Sequence, residues 1–255
     1  LLGTVCNNLG DFIIGAKYTS ADLAYYTKGK QLPTLIKSNI YTSLISVLFP
    51  GMSKINDEGE KVKALSRKSI RVLTYIIYPL MTGLLVVAEP LTIFLYTEKW
   101  IAMVPFVWVV CIEAIFSVPG TITLQSVKAM GYSDKMLKAE IFKKPILILS
   151  IIIAMQYGVM AIALTLPLNT LLEFVINGVM AHKTVDYSIR EQLWDCLPAT
   201  IMSVLMGAGV LLVAHLPLGL GTIALLFVEI LVGIVIYVLL SVITRNEEFM
   251  ALASM

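Results

Sequence analysis

The chain has 255 residues, of which 58% are hydrophobic and only 14% charged, with a formal net charge of +2 and a mean hydropathy of +0.87. A water-soluble domain of this size needs far more polar surface, so the composition reads as an integral membrane protein. It offers no basic stripe suited to nucleic acid, and its three cysteines, Cys6, Cys111 and Cys196, stand singly in apolar surroundings. There is no glycine loop to cradle phosphate and no His/Glu helical cluster, which argues against ATP hydrolysis, zinc chemistry and disulfide exchange, and no cofactor is expected.

Apolar runs recur along the chain, most of them long enough at about 1.5 Å per residue to cross a hydrocarbon core of about 30 Å. They predict spans at Leu1 to Gly15, Leu32 to Met52, Val72 to Tyr96, Ile101 to Gln125, Pro145 to Met160, Ala161 to Val179, Leu197 to Ala214 and Leu218 to Ile243. The fold class is all-α, a polytopic transmembrane bundle of about eight helices. The first span is short and starts without methionine or a basic leader, so something is expected to precede it. Tyr157 and Gly158 mark the turn between the fifth and sixth spans, which predicts a tight hairpin over Ile141 to Val179.

Loop charge predicts the orientation. Lys54, Lys61, Lys63, Arg67, Lys68 and Arg71 fall between the second and third spans, and Lys128, Lys135, Lys138, Lys143 and Lys144 between the fourth and fifth. Lys183 and Arg190 follow in the next even-numbered connection, and Arg245 follows the last span. The alternate connections at Thr97 to Trp100, Gln156 to Gly158 and His215 to Pro217 carry one Lys and no Arg between them. Strict alternation therefore puts both termini in the cytoplasm. The segment Ala16 to Gln31 breaks the pattern: it should face outward as a loop, yet holds Lys17, Lys28 and Lys30, with Lys37 just inside the second helix. Those lysines either snorkel to headgroups or meet an anionic ligand at the outer mouth of a cavity.

Polar residues inside apolar helices are costly in hydrocarbon and tend to face protein or water. Glu113, Ser117, Thr121 and Gln125 repeat every four residues along the fourth helix, interrupted by Pro119 and Gly120, and Asn169, Glu173 and Asn177 repeat the spacing in the sixth. The first helix adds Asn7 and Asp11, the second Lys37, Ser38 and Asn39. If these helices converge they enclose a wet, mixed-charge cavity; the other reading is polar glue between neighbours. Glu229 has no polar companions at helical spacing beyond Thr222, which predicts a structural or peripheral contact. Pro79, Pro90 and Pro167 each remove a backbone hydrogen bond and mark possible pivots, although proline is common in membrane helices.

Several motifs carry a family resemblance. The stretch Ala21-Asp22-Leu23-Ala24-Tyr25-Tyr26-Thr27-Lys28-Gly29-Lys30-Gln31-Leu32-Pro33 is similar to the tyrosine-pair signature that follows the seventh membrane helix in Wzx-type polysaccharide flippases, of the multidrug/oligosaccharidyl-lipid/polysaccharide exporter superfamily. Val47-Leu48-Phe49-Pro50-Gly51-Met52-Ser53, Ala88-Glu89-Pro90-Leu91 with Tyr96-Thr97-Glu98-Lys99-Trp100, and Ala129-Met130-Gly131-Tyr132-Ser133-Asp134 follow in the family's order. Lys28 and Gly29 stand where the family commonly has Arg and Ala, which keeps the charge and loses the bidentate geometry.

The resemblance covers roughly residues 1 to 190 and implies a second six-helix transporter lobe over 1–190, followed by two additional helices and a cytoplasmic tail over 191–255. It implies a transporter rather than an enzyme, in the bacterial inner membrane. The activity it implies is flipping of an undecaprenyl-pyrophosphate-linked oligosaccharide for surface polysaccharide or lipopolysaccharide biosynthesis. The implied partners are that lipid-linked anionic oligosaccharide, membrane lipids, and a missing N-terminal half or second membrane chain. Candidate cavity residues are Lys28, Lys37, Asn39, Asn7, Asp11, Glu113, Gln125, Asn169, Glu173 and Asn177, with Glu113 or Glu173 available to couple the cycle to H+ or Na+. A cation-coupled drug or small-solute antiporter, a structural membrane subunit and an integral membrane glycan-processing enzyme stay open as alternatives.

Overall fold

The computed structural model describes residues 8–55, 57–217, 221–245 and 248–250. Candidate Asn7, with Cys6 and the start of the first predicted span, lies outside the described residues. Nine α-helices follow one another among the described residues: α1 (Leu9–Lys17), α2 (Ser20–Ser53), α3 (Gly59–Val86), α4 (Ala88–Tyr96), α5 (Val104–Ala129), α6 (Ser133–Ala154), α7 (Val159–Val185), α8 (Ile189–Ala214) and α9 (Thr222–Ile243), with a 3-10 turn at Glu98–Met103 before α5. Among the described residues, six stretches are long and apolar enough to span a membrane: α2, α3, the 3-10 turn with α5, α7, α8 and α9. Helix α6 has the length, but Lys135, Lys138, Glu140, Lys143 and Lys144 crowd its first half. Leucine, isoleucine and phenylalanine side chains cover the outside of the bundle, with Phe227 and Ile234 of α9 more than half exposed, as helices bathed in lipid require.

The first correction to the sequence reading concerns Ala16 to Gln31. Only Tyr18 and Thr19 separate α1 from α2. Thr19 closes a capping box with Asp22: its hydroxyl accepts from the Asp22 N–H at 3.2 Å, and its own N–H donates to Asp22 Oδ2 at 3.1 Å. With two orphan donors satisfied and no breaker until Gly29, the helix starts at Ser20 despite its polarity. At 34 residues it is about 50 Å long, so it extends well past a hydrocarbon core of about 30 Å. Lys28 and Lys30 are therefore fixed on a helix face, not carried on a loop.

Gly29 is needed where it is. A Cβ there would lie 2.6 Å from Phe106 Cβ and 2.8 Å from the Met103 carbonyl oxygen, so the crossing of α2 over the start of α5 admits no side chain. The alanine expected from the resemblance would push the two helices apart.

The third predicted span is broken: α3 ends at Val86, and Val87 (φ −90°, ψ 12°) turns the chain into α4. Pro90 falls in the first turn of α4, where an N–H has no helical partner to lose, so it starts a helix and does not kink one. Pro79 and Pro119 do lie inside helices, and each frees a carbonyl four residues back. A tyrosine from a neighbouring helix takes each one. Tyr237 of α9 donates to the Tyr75 carbonyl at 2.8 Å, and Tyr78 of α3 donates to the Ile115 carbonyl at 2.8 Å. The two irregularities are thereby hydrogen-bonded into the packing of α9 on α3 and of α3 on α5.

The predicted hairpin is present as α6 and α7, joined around Gly158 at φ +110°. That left-handed region suits a residue with no Cβ. Helix α5 is the centre of the bundle, packed against α2, α3 and α7, while α8 lies between α3 and α9. The main core joins Leu48 and Met52 of α2 and Ile70, Leu73 and Ile77 of α3 to Val107, Ala114 and Ile122 of α5 and Ala181 of α7.

Candidate functional site

A cavity of about 910 Å³ opens between α1, α2, α5 and α7. It is walled by Lys28, Lys30, Lys37 and Asn39 from α2, Asp11 from α1 and Glu113 from α5. Lys30 and Lys37 stand seven residues apart, two turns, so one face of α2 presents both. Each lysine is matched to an acid on a neighbouring helix. Lys30 Nζ lies 2.5 Å from Asp11 Oδ1 and 4.1 Å from the centre of the Tyr26 ring. Lys37 pairs with Glu113 Oε2, both side chains largely buried at 16% and 12% exposed.

Glu113 has a further partner: its Oε1 accepts from the Thr170 hydroxyl of α7 at 3.1 Å. One carboxylate thus holds α2, α5 and α7 together. Four residues on, Ser117 bonds the Tyr41 hydroxyl of α2 at 2.8 Å, so the upper half of the α5 polar stripe is turned onto α2. Lys28 bonds the Gln31 side-chain oxygen at 3.0 Å and sits 5.8 Å from the centre of the Tyr96 ring. It has no carboxylate partner among the described residues. Three lysines against two carboxylates leave the wall one positive charge in surplus.

The lower polar residues do not line this cavity. Asn169 donates to Ser150 Oγ at 3.0 Å and to the Thr165 carbonyl at 2.8 Å, binding α7 to α6. Asn177 is buried, accepts from Lys143 Nζ at 2.6 Å and donates to the Gly120 carbonyl at 3.1 Å, joining α5, α6 and α7. Glu173 is half-buried between them and feels the charges of Lys143, Glu140 and Lys144. Gln125, half-buried near the other end of α5, is also absent from the cavity wall. The polar stripe of α7 faces the hairpin and the proline-interrupted part of α5.

Thr170 was not among the residues expected at the site. It follows Asn169 directly, and one residue turns a helix by about 100°, which is enough to exchange a contact with α6 for one with Glu113.

A second charged centre was missed entirely. Asp195 on α8 is 1% exposed and receives five hydrogen bonds. Arg67 donates through Nε to Oδ2 at 2.8 Å and through Nη2 to Oδ1 at 3.0 Å. Arg71, one turn along α3, donates through Nε and Nη2 to Oδ1 at 2.9 and 2.7 Å, and the Tyr187 hydroxyl donates to Oδ2 at 2.8 Å. Burial, then the adjacent Asp195 charge, pushes the Tyr187 hydroxyl above its ordinary pKa. Lys63 adds a pair with Glu191 at 3.0 Å, the same Glu191 that closes the capping box on Ser188 at the start of α8. The available signal was the spacing of four between Arg67 and Arg71, which the sequence reading counted as loop charge.

Residues 1–105 match the family described as "Polysaccharide biosynthesis protein". The chain is 29% identical over 136 residues to the lipopolysaccharide biosynthesis protein WzxC of Escherichia coli (strain K12), a stretch covering 53% of this chain and 27% of that protein. It is 30% identical over 108 residues to an uncharacterized membrane protein in the cps region of Klebsiella pneumoniae, covering 42% of this chain and 20% of that one. Among solved structures it is similar to the Lipid II flippase MurJ in an inward closed conformation, with a TM-score of 0.74 and 18% identity over 96% of this chain and 52% of the MurJ chain. The chain therefore spans about half of the solved flippase and a smaller share of the curated relatives. The chain is thus a multi-pass membrane protein with the fold of MurJ, its first 105 residues match the polysaccharide biosynthesis family, and about half of it is similar in sequence to WzxC.

Proposed function

We propose that this chain provides one half of a flippase that carries an undecaprenyl-pyrophosphate-linked oligosaccharide across the bacterial inner membrane, with the polar cavity on the substrate path and both ends of the segment on the cytoplasmic side. The single observation that carries the reading is the lysine face of α2 turned into a polar, net-positive cavity among apolar helices. A pyrophosphate supplies a counter-charge for Lys28, which has no carboxylate partner among the described residues, and a glycan tolerates the polar wall. Half of a bundle cannot enclose a path alone, so a partnering half, in the same polypeptide or another, would complete it.

The chemistry is exchange of ion-pair partners. Between cycles Lys37 rests on Glu113, and Lys28, with no carboxylate of its own, is the first cation available to an incoming anion. When a pyrophosphate takes Lys37, Glu113 keeps only the Thr170 hydroxyl and becomes a carboxylate in need of a cation. A proton or Na+ taken up there would couple movement of α2, α5 and α7 to the load. The surplus positive charge favours an anionic cargo over the cationic solutes of a drug antiporter.

The test is Lys37→Gln against Lys37→Arg in the complete transporter, reading transfer of a labelled lipid-linked oligosaccharide in vesicles at matched protein level. Gln should lower transfer by about tenfold, and Arg should retain most of it. Equal rates for Lys, Arg and Gln would show that Lys37 only anchors the helix end.

A further inference from the structure

Glu229 stands apart from both charged centres. It lies two turns into α9, is 3% exposed, and its Oε2 has no hydrogen-bond partner among the described residues. Sequence reading expects a structural or peripheral contact for it; the structure buries it in the wall of a second cavity, of about 490 Å³, between α3, α8 and α9. Leu84, Met206, Val210 and Ile234 form apolar walls, and Glu229 is the only carboxylate lining it among the described residues.

The nearby hydroxyls are already committed. Tyr75 bonds Ser241 Oγ at 2.8 Å, and Tyr237 donates to the Tyr75 carbonyl freed by Pro79. The polar groups that share this wall therefore leave the carboxyl to itself. On its outer side the cavity is edged by Leu80, Ile234 and Val238, which are 45%, 61% and 41% exposed. A hydrophobic molecule dissolved in the bilayer can reach it without crossing water.

We propose that this cleft binds a lipophilic primary ammonium compound, its hydrocarbon part along α3 and α9 and its ammonium on Glu229. The volume lies within the range of about 300–1,000 Å³ usual for small-molecule sites. Complementarity selects the head group. A hydrocarbon alone leaves the buried carboxyl without a partner, which is costly, and an anion would meet no cation among the residues lining this wall. An alcohol supplies one neutral donor, whereas an ammonium supplies three donors with the opposite charge, and charge-assisted bonds are about twice as strong. Only the ammonium both matches the walls and completes the acid. The site shares no residue with the lysine-lined cavity, so it stands whether or not that cavity carries a pyrophosphate.

The experiment uses the full chain in phosphatidylcholine nanodiscs, with binding of labelled dodecylammonium and labelled dodecanol corrected for empty discs. Dodecylammonium should bind saturably and about tenfold more tightly than dodecanol, and Glu229→Gln should abolish that preference while leaving dodecanol binding unchanged. Ile234→Trp, placed at the exposed mouth, should weaken both ligands and serves as the deciding variant should Glu229→Gln not fold. Equal binding of the two ligands by the unaltered chain would reveal a plain hydrocarbon groove and overturn the proposal. An ammonium preference that survives Glu229→Gln, or undiminished ammonium binding in Ile234→Trp, would overturn it as well.

Discussion

Asp195 and Glu113 both sit at the ends of ion pairs between helices, and their surroundings differ in one respect: saturation. Asp195 is buried under five hydrogen bonds from two guanidiniums and a phenol, so every strong acceptor direction is taken. Glu113 holds a lysine and a threonine hydroxyl and faces an open cavity. Arg67 and Arg71 use planar forks that fix orientation as well as distance, whereas Lys37 is a point charge on a flexible stem that can turn to another anion. The first arrangement clamps α3 to α8 and resists exchange; the second, under the proposed function, is where a partner would be swapped. The difference teaches that charge inside this protein serves two ends, and that hydrogen-bond saturation distinguishes them better than burial does.

Removing the clamp should have the largest effect on stability. Asp195→Asn leaves two arginines and the Tyr187 hydroxyl around a neutral amide, and truncating one partner of a buried pair usually costs about 3–5 kcal/mol. Arg67 and Arg71 are 38% and 41% exposed, so water recovers part of this, and a loss of about 2 kcal/mol is expected. Reversible unfolding in mixed micelles measures it. The distinction between the two centres breaks if this variant unfolds no more easily than Glu113→Gln.

That second substitution should cost about 1 kcal/mol, because Lys37 can swing into the cavity and be hydrated. Its main effect should fall on transport, with transfer of a labelled lipid-linked oligosaccharide by the complete transporter reduced about tenfold, as a neutral residue can neither hold Lys37 nor take up a cation. Transfer at the unaltered rate at matched protein level would reduce Glu113 to structural glue between helices.

The smallest expected effect belongs to Thr170→Val, which keeps shape and removes one hydroxyl donor. A loss of about 0.5 kcal/mol of stability is expected, with a modest slowing of transfer, since Lys37 still satisfies the carboxylate. If the valine variant instead matches the loss seen for Glu113→Gln, then Thr170 is the partner that holds Glu113 in place and Lys37 is secondary.

How much of this was legible beforehand differs between elements. Polar stripes on α5 and α7 were read correctly as stripes, yet Glu113 turned to Lys37 and Thr170 while Asn169 and Asn177 turned to α6 and the Gly120 carbonyl. A spacing of four says that residues share a face; it does not say which neighbour the face meets. Lys37 and Glu113 were both named as cavity candidates, but only the structure shows that they meet each other. Helical continuity through Ala21 to Gln31 was missed because polarity was taken as a sign of a loop, and the capping box at Thr19 outweighs it.

Amino-acid sequence by itself determined the solvent: 58% hydrophobic residues in long runs can be satisfied only in a bilayer, and backbone hydrogen bonding there leaves helices as the form for those runs. It also determined where helices turn, through Gly158, and where they lose a hydrogen bond, through Pro79 and Pro119. Tertiary structure alone decided which groups repair those losses and which charges meet. Tyr78, Tyr237 and Asp195 act on partners 37, 162 and more than 120 residues away in the chain. Such contacts depend on the rotation of each helix about its axis, which is set by packing against several neighbours at once. A period of 3.6 residues fixes the face of one helix, and only the assembled bundle fixes what lies opposite it.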